Sequence, residues 1–136
     1  MSGLLLDTSA YSAMRRGDKR LLAPIREASA VFLTPVVVGE LLYGFVGGAL
    51  ERQNRAFLRE FLSADRVGVL AIDEDTAERY AVIRKHLRSQ GSPIPANDVW
   101  IAASAAQHGL VLMTLDSHFK SVPQVFMEYF EPSAVG

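Results

Sequence analysis

Short apolar runs alternate with helical patterns along the chain. Five of these runs are apolar and partly β-branched, which makes them candidate strands: residues 4–6, 31–33, 67–72, 110–115 and 124–130. The first four show little polar alternation, as is typical of strands covered on both faces. Because helical patterns separate the runs, the chain predicts an α/β fold, a three-layer α/β/α sandwich with a central, mainly parallel sheet.

Two helices are predicted between the second and third strands. Thr34 offers a capping hydroxyl and Pro35 stands at the first helical position, so a helix is expected from there to about residue 45. The nearly uncharged stretch 36–50 predicts that this helix is buried. From Leu50 onward the apolar positions fall on one face, which predicts an amphipathic surface helix.

Two more helices are predicted before the fourth strand. Asp75 and Glu78 form a capping-box pattern, and apolar residues then recur at helical spacing until Gly91. The next helix is expected to begin around residues 97–98 and to stop at Gly109. No repeat, low-complexity segment or linker interrupts the pattern, so residues 1–136 are expected to form a single domain.

Composition limits the chemistry that this chain can perform. With 136 residues, of which 49% are hydrophobic and 21% charged, the chain is typical of a globular domain rather than a disordered one. The absence of cysteine excludes disulfides and thiolate metal sites. Any metal must therefore use oxygen or imidazole ligands.

Interrupted apolar stretches and a low net charge indicate where the protein resides and how it could bind RNA. Asp7 interrupts the N-terminal apolar residues before a signal peptide can form. Glu40 interrupts the longest apolar stretch, which falls short of the roughly 20 residues of a membrane span. A cytoplasmic protein with no membrane segment is expected. The formal net charge of −1 means that any RNA binding must come from local basic patches.

Four acidic residues stand at informative positions. Asp7 directly follows the first strand, and Asp116 follows the fourth. Asp98 stands at a helix start, whereas Glu40 lies inside an apolar helix. In open parallel sheets, functional groups gather beyond the carboxyl ends of the strands, where the strand order reverses. Asp7 and Asp116 are therefore placed for such a crevice.

Each acid also has a structural explanation. Asp7 is a suitable helix cap, Asp98 a first-turn acid favoured by the helix dipole, and Asp116 a turn residue. Glu40 is harder to explain in this way, because an unpaired carboxylate buried in an apolar helix is costly. A single cation site would account for all four acids together.

A cluster of these acids would require compensation. At separations of about 5 Å and an effective dielectric near 20, each pair of carboxylates repels by roughly 3 kcal/mol. The cluster must then bind a cation or take up protons. Oxygen ligands in the absence of cysteine suit Mg²⁺ or Mn²⁺, which keep coordination positions open for a phosphate and a water.

Four segments of the sequence carry a resemblance to a known family. They read LLLDTS at 4–9, Glu40 with Leu41 and Gly44, NDVWIAA at 97–103, and TLDSHF at 114–119. Each segment is weakly specific, but all four in this order and at these separations resemble the PIN-domain ribonucleases. The similarity extends from Leu4 to about Phe126 and is greatest to VapC-like toxins of bacterial or archaeal toxin–antitoxin pairs.

The resemblance implies a function. Members of this family are usually Mg²⁺-dependent endoribonucleases with a parallel α/β/α sandwich, neutralised by a cognate antitoxin and commonly homodimeric. The positions of the family's metal-binding acids fall on Asp7, Glu40, Asp98 and Asp116. Asp7, Asp98 and Asp116 would bind the metal, with Mn²⁺ able to replace Mg²⁺. Glu40 would orient the water that attacks the phosphodiester in line.

The same resemblance assigns the surrounding positions. Four polar residues match those often found around the acids: Thr8, Ser9, Asn97 and Thr114. Many relatives carry a further acid shortly after the fourth, where this chain has Ser117 and His118, so the sequence does not predict a second metal. His118 is interpreted as a packing or turn residue, with phosphate contact or proton transfer as the alternative.

Two surfaces are candidates for contacts with partners. One basic cluster lies near the end of the first helix and contains Arg15, Arg16, Lys19 and Arg20, and a second contains Arg84, Lys85 and Arg88. Either cluster is a candidate RNA contact or an ordinary solvated helix face. A candidate surface for binding an antitoxin is apolar and contains Leu41, Leu42, Phe45, Leu58 and Phe61. The alternative is that part of this surface belongs to the core.

Two other classes of function compete with a nuclease. A catalytically silent PIN-like module would bind RNA or a partner without cutting, but the four intact acids argue against it. Phosphotransfer receivers and phosphatases with an aspartyl nucleophile also place an Asp after the first strand. The phosphatase pattern would have Asp where Ser9 stands, and a receiver needs paired acids there and a late lysine, so neither pattern is met.

Overall fold

The apolar runs form one five-stranded sheet. The computed structural model describes residues 3–132, and its strands are β1 (Leu4–Leu6), β2 (Val31–Leu33), β3 (Val67–Val69), β4 (Val111–Thr114) and β5 (Phe126–Tyr129). Their order across the sheet is β3-β2-β1-β4-β5, and every neighbouring pair is parallel. The predicted α/β class and the parallel sheet are confirmed.

The last three strands are shorter than predicted. β3 pairs only with β2, whose three residues limit how far the ladder extends. Leu70 adds one hydrogen bond to Leu33, and the chain then leaves the sheet. In the same way, β5 matches the four residues of β4. The length of each edge strand is therefore set by the strand it pairs with. The local apolar pattern does not show this limit.

The strand order reverses between β1 and β4. The chain moves outward from β1 through β2 to β3, and it then returns to place β4 on the other side of β1. Both central strands are covered on their two faces, so Leu5, Leu6, Leu112 and Met113 have no solvent exposure. The carboxyl ends of β1 and β4 thus frame the crevice in which open α/β sheets bind ligands.

Helices flank this sheet. In the described part of the chain they are α1 (Thr8–Arg15), α2 (Lys19–Glu27), α3 (Pro35–Phe45), α4 (Glu51–Ser63), α5 (Glu74–Ser89) and α6 (Ala96–His108), with a 3-10 helix over Ser117–Ser121. The predicted start of α3 is confirmed, since the Thr34 hydroxyl accepts from the Val37 amide at 3.1 Å and Pro35 follows the cap. At the end of α6, Gly109 adopts φ 61°, a left-handed conformation suited to glycine.

The predicted cap of α5 was wrong by two residues. The capping box is formed by Asp73 and Thr76: the Asp73 carboxylate accepts from the Thr76 amide, and the Thr76 hydroxyl accepts from the Asp73 amide. Asp75 and Glu78 lie exposed within the helix. Several acids and a threonine stand close together in this segment, so more than one capping register fits the sequence.

The prediction that α3 is buried was also wrong. Val37 and Leu41 are buried, whereas Tyr43 is 85% exposed and Val46, just past the helix end, is 60% exposed. The helix packs against α1, α4 and α6, and its outer side remains uncovered. Apolar residues occupy the outer side as well, which made the helix look buried in the sequence.

Helix α2 was not predicted. Asp18 caps it, Leu21 and Ile25 form its buried face, and Pro24 lies inside it. The basic residues expected near the end of one helix therefore belong to two: Arg15 ends α1, whereas Lys19 begins α2. A proline within a short, highly charged segment obscured the helical pattern.

None of the helices within residues 3–132 combines the length and the apolar character needed to cross a membrane.

Candidate active site

Asp7 links the end of β1 to the start of α1. The side chain is only 3% exposed, and its Oδ1 accepts from the Ala10 amide at 2.8 Å, which caps the helix. The Ser9 hydroxyl donates to the same oxygen at 2.7 Å, and the Thr114 hydroxyl donates to Oδ2 at 2.5 Å. Burial raises the pKa of Asp7, although these hydrogen bonds oppose the rise. The acid is thus a helix cap and a member of the site at once.

The two central strands are joined by hydroxyl groups at this edge of the sheet. Leu115 donates its amide to the Ser9 hydroxyl at 2.9 Å, and Asp116 donates its amide to the Thr114 hydroxyl at 2.8 Å. Because both hydroxyls accept from the backbone after β4, their hydrogens are free to point at the Asp7 carboxylate. The sequence predicted that Ser9 and Thr114 lie around the acids. In the structure both donate hydrogen bonds directly to the Asp7 carboxylate.

Asp116 begins the 3-10 helix that follows β4. Its Oδ1 accepts from the His118 amide at 2.9 Å, so this acid also has the turn-forming role considered from the sequence. The capping bond uses one oxygen and leaves lone pairs on the carboxylate. The side chain remains one-third exposed, at the mouth of the crevice.

Asp98 lies in the first turn of α6, as expected, with its side chain 14% exposed. Burial, and secondarily the charge of Asp116, raise the pKa of Asp98 to about 6, while contact with His118 acts in the opposite direction. A carboxyl group with so high a pKa lacks full compensation for its negative charge.

Glu40 lies on the helix that the sequence predicted to be buried, where an unpaired carboxylate would be costly. It is partly exposed on α3, and two side chains donate to its carboxylate: the Thr8 hydroxyl at 2.5 Å and the Asn97 amide at 3.2 Å. Both donors had been predicted to surround the acids. The two donors come from the first turns of α1 and α6, where Thr8 follows Asp7 and Asn97 precedes Asp98.

The four predicted acids share one cavity. It measures about 270 Å³ and is lined by Asp7, Thr8, Ser9, Ser12, Glu40, Asp98, Ile101 and Asp116. Ser12 and Ile101 were missed from the sequence, although helical spacing pointed to them: Ser12 lies four residues after Thr8, and Ile101 three after Asp98. The structure therefore brings together all four acids that the sequence singled out.

His118 also belongs to this region. Its Nδ1 lies 3.2 Å from Oδ2 of Asp98 and 3.0 Å from Oδ1 of Asp116. His118 lies in a turn, one of the two roles expected, but its half-exposed ring faces two carboxylates and does not pack into the core. His118 stands two residues after Asp116 on the same turn, and this spacing was the sequence signal for its place beside the acids.

The acid cluster fits a divalent cation. One ligand atom from each of Asp98, Asp116 and His118 lies within 4.8 Å of the others. Carboxylate oxygens are suitable ligands for Mg²⁺, and an imidazole nitrogen adds a ligand suited to first-row divalent metals. The raised pKa of Asp98 indicates that protein groups alone do not neutralise the cluster.

The basic residues predicted to contact RNA do not line the acidic cavity. Arg15 stacks on Phe57, with 4.0 Å from its guanidinium to the ring centroid. Arg20 pairs with Asp18 at 2.7 Å and also donates to the Glu131 carbonyl at 2.8 Å.

Arg16 and Lys19 are exposed, and their contact with RNA remains a prediction. In the second cluster, Arg84 and Arg88 line a separate groove beside Ile94. Lys85 lies exposed on the same helix.

The apolar surface considered for an antitoxin is divided. Leu41 and Leu58 belong to the core, whereas Leu42, Phe45 and Phe61 are partly buried against it. A groove remains between α3 and α4, lined by Leu42, Arg55, Leu58, Arg59, Leu62 and Ser63.

Comparison with known proteins places this site in a family. A model of the PIN domain matches residues 4–125. The chain is 32% identical over 120 residues to Ribonuclease VapC5 of Mycobacterium tuberculosis, with 87% of this chain and 86% of that protein covered.

Two solved structures share the fold. VapBC-5, a member of the VapBC family of toxin–antitoxin systems from Mycobacterium tuberculosis, superposes with a TM-score of 0.76 at 30% identity, covering 96% of this chain and 100% of that one. DNA-bound VapBC from Salmonella typhimurium gives a TM-score of 0.83 at 25% identity, covering 95% and 98%. The resemblance seen in the sequence is confirmed, and the chain belongs to the PIN-domain family.

Proposed function

We propose that this protein is a metal-dependent endoribonuclease that acts in the cytoplasm as the toxin of a toxin–antitoxin pair. The observation that carries the proposal is the convergence of four acids from separate parts of the chain on one cavity. This cavity lies where the strand order reverses, which is where open α/β sheets bind ligands. The relative VapC5 is named a ribonuclease, which supports the same activity here.

The metal ligands are Asp7, Asp98 and Asp116. Mg²⁺ is the proposed cofactor and Mn²⁺ a substitute, since both accept carboxylate oxygens. Such a cation, when bound, polarises a phosphodiester oxygen and makes a water molecule more acidic.

The chain's own groups supply orientation. Glu40 accepts from Thr8 and Asn97, so its carboxylate is held in one position beside the cavity. In that position it accepts a hydrogen bond from the attacking water and aligns it with the phosphorus. Ser9 and Thr114 hold Asp7 in the same way, because each donates to one of its oxygens. Pre-set ligands and a pre-set base reduce the entropy that must be lost to reach the transition state.

RNA approaches along the surface beside Glu40. A groove of about 590 Å³ borders the acidic cavity there and is lined by Pro35, Val36, Gly39, Glu40, Tyr43 and Asn97. It shares Glu40 with the acidic cavity, so a strand lying in it passes the acids. Arg16 and Lys19 are exposed cations outside this groove, available for phosphates farther along the strand.

Two protein contacts complete the proposal. A cognate antitoxin occupies the groove between α3 and α4, where Leu42 and Leu62 offer apolar surface beside Arg55 and Arg59. The VapBC-5 relative belongs to the toxin–antitoxin systems, which supports such a partner. A second copy of the chain covers the exposed apolar side chains of Val46 and Leu50, which lie outside the RNA groove, because exposed apolar surface favours association.

The test is cleavage of a mixed pool of tRNA and rRNA by purified protein with Mg²⁺, with Mn²⁺ or with EDTA. We expect fragments only with metal, and none from an Asp98→Asn variant purified identically, which controls for contaminating nuclease. Equal fragments from the variant would contradict the proposal. A catalytically silent module is the alternative, and it would yield no fragments and no metal binding in a calorimetric titration.

A further inference from the structure

His118 faces two carboxylates that come from different elements. Asp98 lies in the first turn of α6, and Asp116 caps the 3-10 helix after β4. The Nδ1 atom of His118 is 3.2 Å from an Asp98 oxygen and 3.0 Å from an Asp116 oxygen. Three donor atoms, one nitrogen and two oxygens, therefore enclose a small common space.

The backbone around His118 directs the ring into this position. Its amide donates to the Asp116 carboxylate at 2.9 Å, and the next residue, Phe119, is buried in the core. The 3-10 helix is thus anchored on both sides of His118. The ring itself is half exposed, so core packing does not account for where it points.

A hydrogen bond alone accounts poorly for the two contacts. Nδ1 carries at most one hydrogen, which cannot point well at two carboxylates at once. Ligands at 2.0–2.1 Å from an octahedral cation lie about 3 Å from their neighbours. The separations of 3.0 and 3.2 Å match that spacing. The nitrogen is therefore placed as the neighbour of each oxygen around one ion.

We propose that His118 is a ligand of the divalent cation, coordinating through Nδ1 beside Asp98 and Asp116. This inference rests on the proposed function, which assigns the cation to the acids. An imidazole nitrogen is a better ligand for first-row transition ions than for Mg²⁺, which prefers oxygen. His118 consequently shifts the preference of the site toward Mn²⁺.

Pulsed electron paramagnetic resonance of Mn²⁺ bound to the full chain tests the assignment. We expect a modulation from a coordinated ¹⁴N nucleus in the native protein and its loss in His118→Gln. His108→Gln is the matched control, because His108 is exposed in the last turn of α6, about 15 Å along the helix from Asp98. That variant should keep the signal.

Affinity provides a second readout. We expect His118→Gln to weaken Mn²⁺ binding about tenfold, the lower end of what altered metal surroundings cost, and to change Mg²⁺ binding much less. Calorimetric titration of each ion measures both affinities. Circular dichroism verifies that each variant is folded. If His118→Gln does not fold, native protein labelled with ¹⁵N-histidine decides the question, because the ¹⁴N modulation must then change to that of ¹⁵N.

The outcomes separate the two proposals. Bound Mn²⁺ without nitrogen modulation would overturn the role of His118 and leave the proposed nuclease standing. A nitrogen signal that survives in His118→Gln would do the same. No binding of Mn²⁺ or Mg²⁺ by the native protein would overturn both.

Discussion

Thr114 on β4 holds the carboxylate of Asp7, which follows β1: its hydroxyl donates to Oδ2 at 2.5 Å. The same hydroxyl accepts from the Asp116 amide at 2.8 Å. One side chain thus ties together two of the acids and the ends of the two central strands. The geometry of the site is in this way coupled to the pairing of β1 with β4.

Replacing this hydroxyl should cost stability. Thr114→Val keeps the shape of the side chain but leaves the buried Asp7 oxygen and the Asp116 amide without their partner. We expect a loss of about 2 kcal/mol in the free energy of unfolding, measured by urea denaturation, since bonds to charged groups contribute more than neutral ones. Thr114→Ser retains the hydroxyl and should lose less. Equal losses in both variants would show that the methyl group, not the hydrogen bond, is what matters.

Asp98 should destabilise the metal-free fold at neutral pH. Its pKa in the folded protein is about 6, above the ordinary value of 3.8, so ionising it in the folded state is unfavourable. The loss of folding stability caused by ionising Asp98 is absent below pH 3.8, grows between pH 4 and 6, and is complete above that range. In EDTA at pH 7.5 we expect Asp98→Asn to be more stable by about 1 kcal/mol, or about 4 °C in melting temperature.

Lowering the pH should remove the advantage of this variant. At pH 4 the native Asp98 is protonated, and the two melting temperatures should converge. Mg²⁺ at pH 7.5 should raise the melting temperature of the native protein more than that of the variant. A variant less stable than the native protein in EDTA at pH 7.5 would argue against uncompensated charge at Asp98.

Metal affinity should fall in acid. Protons compete with the cation for Asp98, whose pKa is about 6. We expect affinity to be nearly constant from pH 8 to 7 and to drop at least tenfold for each pH unit below 6, which is the slope for one competing proton, and any proton on another ligand makes the slope steeper. Calorimetry of Mn²⁺ binding across this range measures the slope. Constant affinity down to pH 5 would mean that Asp98 is not a ligand.

Glu40 should affect cleavage more than metal binding. Its carboxylate is held by Thr8 and Asn97, and the nitrogen–oxygen cluster that best fits a cation is formed by other residues. We expect Glu40→Gln to slow RNA cleavage on the order of 100-fold, the range for loss of a general base, with little change in Mn²⁺ affinity. Glu78→Gln, on the exposed side of α5, is the control and should cleave normally. A large loss of metal affinity in Glu40→Gln would reassign Glu40 as a ligand.

The exposed apolar residues Val46 and Leu50, between α3 and α4, should drive self-association. Light scattering at micromolar concentration should give the mass of a dimer for the native chain, and that of a monomer for Val46→Glu, since a charge would be buried at the contact. Val82 on α5 is similarly exposed, so Val82→Glu serves as the control and should remain dimeric. A monomeric native chain would remove this part of the proposal.

The sequence revealed the acids because their positions depend on simple rules. Asp7 and Asp116 each follow a buried parallel strand, and neighbouring parallel strands end at the same edge of a sheet. The start of α3 could also be predicted, because the capping residue Thr34 and the first helical residue Pro35 are adjacent in the sequence. Features encoded within a few residues, or by the parallel direction of strands, could therefore be predicted.

Features that depend on distant partners could not. The sequence made Glu40 look buried and unpaired, yet its donors Thr8 and Asn97 lie 32 and 57 residues away. The contact of His118 with Asp98 likewise joins a helix start to a turn 20 residues later. The direction in which a half-exposed ring points is a matter of tertiary structure, and no periodic pattern encodes it.

The chemistry at the cut phosphodiester tests the central proposal most directly. RNA of known sequence, cleaved with Mg²⁺ or EDTA, should be analysed for the groups left at the new ends. Attack by water with the 3′-oxygen leaving predicts 5′-phosphate and 3′-hydroxyl ends, formed only with metal and absent with Asp98→Asn and Asp116→Asn. Cleavage in EDTA, or 2′,3′-cyclic phosphate ends made equally by the variants, would contradict a metal-dependent nuclease built from these acids.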